Sequence, residues 1–201
     1  MLKEAGILFA ITLIAGLMLG FVYELTKEPI VKQQEKAVND ACRTVFGASD
    51  SREAAESFKE REYEPGAAIV SRLQDSSVTI GKVFEAYSAS GELLGYVVES
   101  TSSAGYGGNI VIYSGVELDG TLRDVSILEI SETPGLGMRA GSVLVPQFHL
   151  RHADSFVYTK TGAVSDNEID AISGATITTR AFTNAVNGAL LAVSDITEGG
   201  E

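Results

Sequence analysis

The sequence predicts an α+β protein in which an N-terminal membrane helix is followed by an antiparallel sheet covered by helices. Residues 5–23 contain no charged side chain, which is typical of a membrane-spanning helix. From Val78 onward, short β-branched runs alternate with turn residues, and residues 179–193 carry apolar side chains at helical spacing. Because the strands are grouped together and helices flank them, the order does not favour an alternating doubly wound fold.

The amino-acid composition and charge of the chain argue against several classes of function. The chain has 201 residues, of which 15 are Lys or Arg and 27 are Asp or Glu, so its net charge is −12. A surface this acidic argues against nucleic acid as a partner. The lone Cys42 excludes an intramolecular disulfide and a cysteine-ligated cluster or zinc site, and its place on an apolar stripe favours buried packing. His149 and His152 lack further metal ligands nearby in sequence, so we predict no metal site and a surface or capping role for both.

The segment from Ala5 to Tyr23 is long enough as a helix to cross a bilayer core of about 30 Å. It is longer than the apolar part of a signal peptide, and no small-x-small cleavage site follows it, so we predict an uncleaved anchor over 1–25. Lysines flank the segment on both sides, and the positive-inside rule therefore leaves its orientation open.

Beyond the anchor we predict a juxtamembrane helix and polar connector over 26–77 and a folded domain over 78–201. Pro29 suits the first turn of a new helix that continues through Phe46, and the polar remainder indicates a solvated helix and loop. In the domain, Ser90-Gly91-Glu92 and Asp119-Gly120 separate strand-like runs and predict hairpins.

The stretch from Asp170 to Thr178 consists of small and hydroxyl residues that lead into the last predicted helix. Its hydroxyls favour capping of the first helical amides. A second interpretation is an anion site, because a phosphate placed there would meet unpaired N–H groups and the positive end of the helix dipole.

Asp170, Ser173, Gly174, Ala175, Thr176 and Thr178 form an Asp-x-x-Ser-Gly-Ala-Thr-x-Thr pattern. It resembles the flavinylation motif of the FMN-binding domains found in the G subunit of Rnf electron-transport complexes and in the C subunit of sodium-pumping NADH:quinone oxidoreductases. The resemblance implies that a flavin transferase joins the FMN phosphate to the Thr176 hydroxyl, so that 78–201 is an FMN-binding domain and a phosphoprotein.

Two further stretches support this resemblance. Glu132-Thr133-Pro134-Gly135-Leu136-Gly137 is similar to a loop of the same family, and Gly105-Tyr106-Gly107-Gly108 is similar to a second segment. The resemblance implies that Glu132, Thr133, Gly135, Leu136 and Gly137 lie against the flavin, with backbone amides near its pyrimidine edge. Taken alone, Pro134-Gly135 is a turn signal, and Tyr106 fits either flavin stacking or packing at the surface.

The family likeness implies a covalent flavoprotein that relays electrons between other membrane subunits of an Rnf-type ferredoxin:NAD oxidoreductase coupled to ion transport. The domain would lie on the extracytoplasmic side of the cell (inner) membrane, and the chain would be an electron carrier and no self-contained enzyme, with no catalytic residue of its own. The alternatives are the quinone-reductase C subunit, a stand-alone flavin carrier and a flavin-free, membrane-anchored binding module. A hydrolase with Ser173 or Thr176 as nucleophile lacks a histidine partner nearby in sequence.

Overall fold

A computed structural model describes residues 2–47, 52–73 and 75–199, which divide between Val38 and Asn39 into two compact units. The helices are α1 (Leu2–Val45), α2 (Ala67–Arg72), α3 (Ala140–Val143), α4 (Val145–Phe148) and α5 (Thr176–Glu198), with a 3₁₀ turn at Gly137–Arg139. The strands are β1 (Ser57–Arg61), β2 (Val78–Tyr87), β3 (Leu93–Ser102), β4 (Ile110–Glu117), β5 (Thr121–Ile130), β6 (Arg151–His152), β7 (Val157–Thr159) and β8 (Glu168–Asp170).

Helix α1 is one continuous helix of 44 residues, and by length and composition it can cross a membrane. Its apolar side chains between Ile7 and Leu25 are exposed, as side chains that face lipid would be. The prediction that a new helix begins at Pro29 is wrong, because Pro29 lies inside α1. A proline removes the helical bond to the carbonyl four residues earlier, and the good helix formers around Pro29 carry the helix past that loss.

The main sheet is an antiparallel meander of six strands in the order β1 to β6. Both predicted hairpins are confirmed, between β2 and β3 and between β4 and β5. The interpretation of residues 47–77 as helix and loop is partly wrong, because β1 pairs with β2 along the sheet edge. The side chains of β1 are mostly exposed, so its charged sequence lacks the apolar alternation that identifies a half-buried strand.

Helix α5 covers one face of the sheet by packing on β2, β3 and β4. Its predicted apolar stripe, which includes Phe182, Ala185, Val186, Ala189 and Val193, is buried. The helix begins at Thr176, earlier than the predicted start at Thr179. The short helices α3 and α4 close one end of this core, where the rings of Phe148 and Phe182 stack at 5.8 Å.

The opposite face of the sheet receives the C-terminal end of α1. Cys42, Val45 and Phe46 are buried there, which confirms the packing role predicted for Cys42. Gly115 on β4 permits the contact, because a Cβ at this position would lie 2.8 Å from the Val45 carbonyl oxygen and 3.0 Å from Phe46 Cδ2. Burial raises the pKa of the Cys42 thiol to about 12.

Arg123 on β5 holds the residues that follow α1. Its Nη2 donates to the carbonyls of Gly47, at 2.8 Å, and Glu53, at 2.7 Å. The guanidinium also lies 5.1 Å from the centre of the Phe46 ring and pairs with Glu117. The chain after α1 is therefore attached to the sheet by a buried cation.

Strands β7 and β8 form a separate parallel pair that the sequence did not predict. Each has three residues, too few to show a period. The pair leads directly into the segment before α5. Gln147 on α4 fixes its end, because its side-chain amide accepts from the Asp170 N–H at 2.7 Å and donates to the Asp170 carbonyl at 3.1 Å.

Candidate functional site

Three segments that are distant in sequence meet at the N-terminal end of α5 and enclose a cleft of about 480 Å³. They are the loop between β3 and β4, the loop after β5 and the turn that leads into α5. The side chains and backbone that line the cleft belong to Tyr106, Glu132, Thr133, Leu136, Gly137, Gly174, Ala175, Thr176, Ile177 and Thr178. The volume lies within the range of small-molecule and cofactor pockets.

Three predicted site residues are not among those lining the cleft: Gly135, Asp170 and Ser173. Gly135 forms the turn after Pro134 with a φ of 78°. The carboxylate of Asp170 accepts a hydrogen bond from the Ala163 N–H at 2.7 Å, so in this structure it orders the loop after β7. Ser173 is exposed at the outer side of the turn.

Glu132 joins two walls of the cleft. Its side chain is buried, and Oε1 accepts hydrogen bonds from the backbone N–H of Tyr106 at 2.7 Å and of Gly107 at 3.4 Å. Hydrogen bonds to a carboxylate are stronger than those between neutral groups. A single buried carboxylate therefore positions the loop that carries the exposed Tyr106 ring.

Gly137 allows the loop after β5 to approach α5. A Cβ at this position would lie 2.7 Å from Glu132 Oε2 and 2.7 Å from Thr178 Oγ1. Only glycine fits between these two polar side chains. The neighbouring Leu136 is 40% exposed at the cleft, where it offers an apolar surface to a planar ring.

The turn before α5 is set by hydrogen bonds and by one glycine. The Ala175 N–H donates to the Ile172 carbonyl at 3.0 Å, and Gly174 has a φ of 79°, which only glycine adopts without strain. Thr179 Oγ1 accepts from the Ile172 N–H at 3.1 Å and donates to the Ala175 carbonyl at 2.9 Å. The hydroxyl of Thr179 thus closes the turn onto the helix.

The prediction that hydroxyl side chains cap α5 is wrong. The N-cap is Ala175, which has no side-chain acceptor, and no side chain among the described residues caps this helix. Thr176 is the first helical residue, and it is half-buried at the cleft. The uncapped amides and the positive end of the helix dipole suit an anion at this position.

Sequence reasoning missed two lining residues, Ile177 and Thr178. Thr178 is buried, and its Oγ1 has no hydrogen-bond partner in the part of the chain that the structure describes. Thr178 could have been found by extending the apolar stripe of α5 backward, because it lies four residues before Phe182 and seven before Ala185.

Neither histidine lies at the cleft. His149 Nδ1 is 3.2 Å from Asp124 Oδ2, and His152 Nδ1 is 3.4 Å from Thr121 Oγ1. No imidazole is therefore available to activate Thr176 or Ser173 as the nucleophile of a hydrolase.

The model of the FMN-binding domain matches residues 105–191, and that of the RnfG N-terminal region matches residues 1–45. The first match contains every segment that lines the cleft, from Tyr106 to Thr178. The second corresponds closely to α1.

Three relatives span different parts of the chain. The G subunit of the Na⁺-translocating ferredoxin:NAD⁺ oxidoreductase complex of Acetobacterium woodii is 37% identical over 101 residues, about half of each chain (49%). The G subunit of the proton-translocating ferredoxin:NAD⁺ oxidoreductase complex of Clostridium ljungdahlii is 29% identical over 98% of this chain and 97% of the relative. The G subunit of the ion-translocating oxidoreductase complex of Vibrio vulnificus is 30% identical over 81% of this chain and 74% of the relative. The crystal structure of Shewanella oneidensis NqrC matches 58% of both chains at 26% identity with a TM-score of 0.47.

Proposed function

The chain belongs to the family of G subunits of ion-translocating oxidoreductase complexes, and on that premise we propose that it carries FMN joined through its phosphate to Thr176. It is a membrane electron-transfer subunit of such a complex. Bound FMN supplies the one- and two-electron chemistry, and the protein sets the position and solvent access of the flavin.

The observation that carries the proposal is the start of α5. Thr176 places a hydroxyl at the cleft, on a helix end that no side chain of the described residues caps. A phosphoester at this oxygen brings its remaining charge to the free amides of the first turn. No capping side chain from the described part of the chain has to be displaced from those amides when the ester forms.

The rest of the cleft fits the other parts of the cofactor. Leu136, Tyr106 and Ile177 offer exposed apolar surface to the ring system, at 40%, 71% and 45% exposure. Glu132 and Gly137 also line the cleft and supply a polar, closely packed part of its surface. The pocket thus combines an anion site with an apolar platform, as a flavin phosphate requires.

We further propose a place for the chain in its complex. The names of two relatives describe ferredoxin:NAD⁺ oxidoreductases, one Na⁺-translocating and one proton-translocating, so ferredoxin:NAD⁺ chemistry with other membrane subunits is the proposed setting. The domain would lie outside the cytoplasm, beyond α1. A flavin transferase would move the FMN part of flavin adenine dinucleotide to the Thr176 oxygen, so that the pyrophosphate bond breaks, adenosine monophosphate leaves and the hydroxyl proton is released. A C-terminal fusion to a phosphatase that folds only outside the cytoplasm is expected to be active, and an inactive fusion would contradict this orientation.

The experiment that tests the proposal uses the full chain, expressed in cells that contain a flavin transferase and purified in detergent. Flavin fluorescence is expected to remain with the polypeptide after denaturing electrophoresis and to be absent from Thr176→Ala. Thr161→Ala is the matched control, because it removes an exposed hydroxyl that does not line the cleft. A non-fluorescent wild-type chain would favour the flavin-free binding module.

A further inference from the structure

Thr178 differs from the threonines that follow it on α5 in how its hydroxyl is used. The hydroxyls of Thr179, Thr183 and Thr197 each donate to the carbonyl four residues earlier. For Thr178 that carbonyl belongs to Gly174, which lies in the turn before the helix. Thr178 Oγ1 is consequently left without a partner among the described residues, although the side chain is only 1% exposed.

An unpaired buried hydroxyl destabilises a folded protein, so its presence at a cleft indicates a ligand that completes it. Gly137 packs next to Thr178. A Cβ at position 137 would lie 2.7 Å from Thr178 Oγ1. A side chain at position 137 would clash with this hydroxyl, and the glycine avoids that clash. The same Cβ would lie 2.7 Å from Glu132 Oε2, and the other carboxylate oxygen, Oε1, accepts from the Tyr106 and Gly107 amides.

Helical geometry separates Thr178 from the proposed phosphate position. Residues two apart on an α-helix differ by about 200° around the axis, so the side chains of Thr176 and Thr178 leave opposite sides of α5. Thr176 is half-buried, whereas Thr178 is buried towards Gly137 and Glu132. A phosphate esterified to Thr176 is therefore poorly placed to reach the Thr178 hydroxyl.

We propose that the Thr178 hydroxyl forms a hydrogen bond with the ribityl or isoalloxazine part of FMN and holds the flavin in the cleft. This inference rests on the proposed function, because it requires FMN as the ligand. The ribityl hydroxyls and the ring carbonyls supply the acceptors that Thr178 lacks in the ligand-free protein. Thr178 is thus a positioning residue for the flavin, and Thr176 remains the site of attachment.

The first test uses reversible binding to the full chain in detergent, with Thr176→Ala as the parent. Riboflavin and FMN are titrated separately and followed by quenching of flavin fluorescence. Thr178→Val is expected to lower the affinity for both ligands about fivefold, which is the effect of losing one net hydrogen bond. Thr178→Ser, which keeps the hydroxyl, is expected to stay within about twofold of the parent. Thr183→Val is the matched control on the same helix and leaves both affinities unchanged.

Thermal unfolding without ligand separates this role from a structural one. Because the Thr178 hydroxyl has no partner among the described residues of the ligand-free protein, Thr178→Val is expected to unfold at the same temperature as the parent or a higher one. If the hydroxyl had a structural role, Thr178→Val would unfold at a lower temperature than the parent. In the flavinylated wild-type background, the same substitution is expected to raise quenching of the tethered flavin by iodide, because the flavin leaves the cleft more often.

Each alternative outcome overturns the inference. Equal affinity and equal iodide quenching in Thr178→Val would show that the Thr178 hydroxyl forms no hydrogen bond with the flavin. The proposal of flavinylation at Thr176 would not be affected by that result. A loss seen with FMN but absent with riboflavin would assign the contact to the phosphate. If cells with the transferase yield no flavinylated wild-type chain and Thr176→Ala binds neither ligand, the proposed function fails together with the inference.

Discussion

The hydroxyl of Thr179 accepts a hydrogen bond from the backbone amide of Ile172 at 3.1 Å, across the turn that precedes α5. Both residues are buried, and the same hydroxyl donates to the Ala175 carbonyl. The turn that presents Thr176 is therefore fixed from within the helix by a residue one turn further along. The position of the acceptor hydroxyl depends on this contact.

Replacing Thr179 with valine is expected to leave the buried Ile172 amide unpaired. Such a loss costs about 1–3 kcal/mol, so we expect the free energy of unfolding in urea to fall by that amount and the flavinylated fraction to decrease. Thr179→Ser should retain most of the free energy of unfolding and most of the flavinylated fraction. Stability and flavinylation equal to wild type in Thr179→Val would show that the hydroxyl does not set the turn.

Glu132 is expected to act through the loop that it holds. Glu132→Ala removes the acceptor for the Tyr106 and Gly107 amides, and reversible binding of FMN to the Thr176→Ala chain should weaken by about tenfold. Glu132→Gln keeps an oxygen acceptor and should lose less. An alanine variant that binds as tightly as the glutamine variant would show that the loop is ordered without this carboxylate.

Phe46 is expected to contribute strongly to the stability of the domain, since it is fully buried between the sheet and Arg123. Phe46→Ala should lower the free energy of unfolding by about 3–5 kcal/mol in urea titrations in detergent. Phe9→Ala removes the same side chain from an exposed position on α1 and serves as the control. A loss below about 1 kcal/mol would mean that the end of α1 is not anchored on the sheet.

The buried Cys42 thiol is expected to resist alkylation at neutral pH until the domain unfolds. Its pKa is raised from 9.0 to about 12 by burial, so the folded protein keeps the thiol neutral while the unfolded chain ionises near pH 9. Stability linked to this thiol is therefore present below pH 9.0 and is lost as the pH rises towards about 12. Mass spectrometry after maleimide treatment, with and without urea, measures the protection. Rapid modification of the folded chain would contradict the burial.

The sequence predicted the membrane helix, the hairpins and the buried stripe of α5, because each has a strong period or a defined turn signal. It missed β1, whose exposed charged residues Ser57–Arg61 show no apolar alternation, and the three-residue strands β7 and β8. The break predicted at Pro29 failed because one proline does not end a helix whose other residues favour it.

At the site, most of the residues that line the cleft belong to the sequence motifs, but the contacts among them are ones that no local pattern contains. The pairing of Glu132 with Tyr106 joins residues in separate loops. The start of α5 at Thr176, three residues before the predicted Thr179, decides that Ala175 is the N-cap and that Thr178 is buried. Capping was expected from residue types alone, whereas the closure of the turn by Thr179 is tertiary.

The most direct test of the central claim is tandem mass spectrometry of the tryptic peptide that spans 161–180, from chain produced with a flavin transferase. This peptide carries six hydroxyl residues, namely Thr161, Ser165, Ser173, Thr176, Thr178 and Thr179. The account predicts that FMN phosphoryl mass appears only on fragments that contain Thr176. The same mass on Ser173 or Thr178, or an unmodified peptide from competent cells, would contradict it.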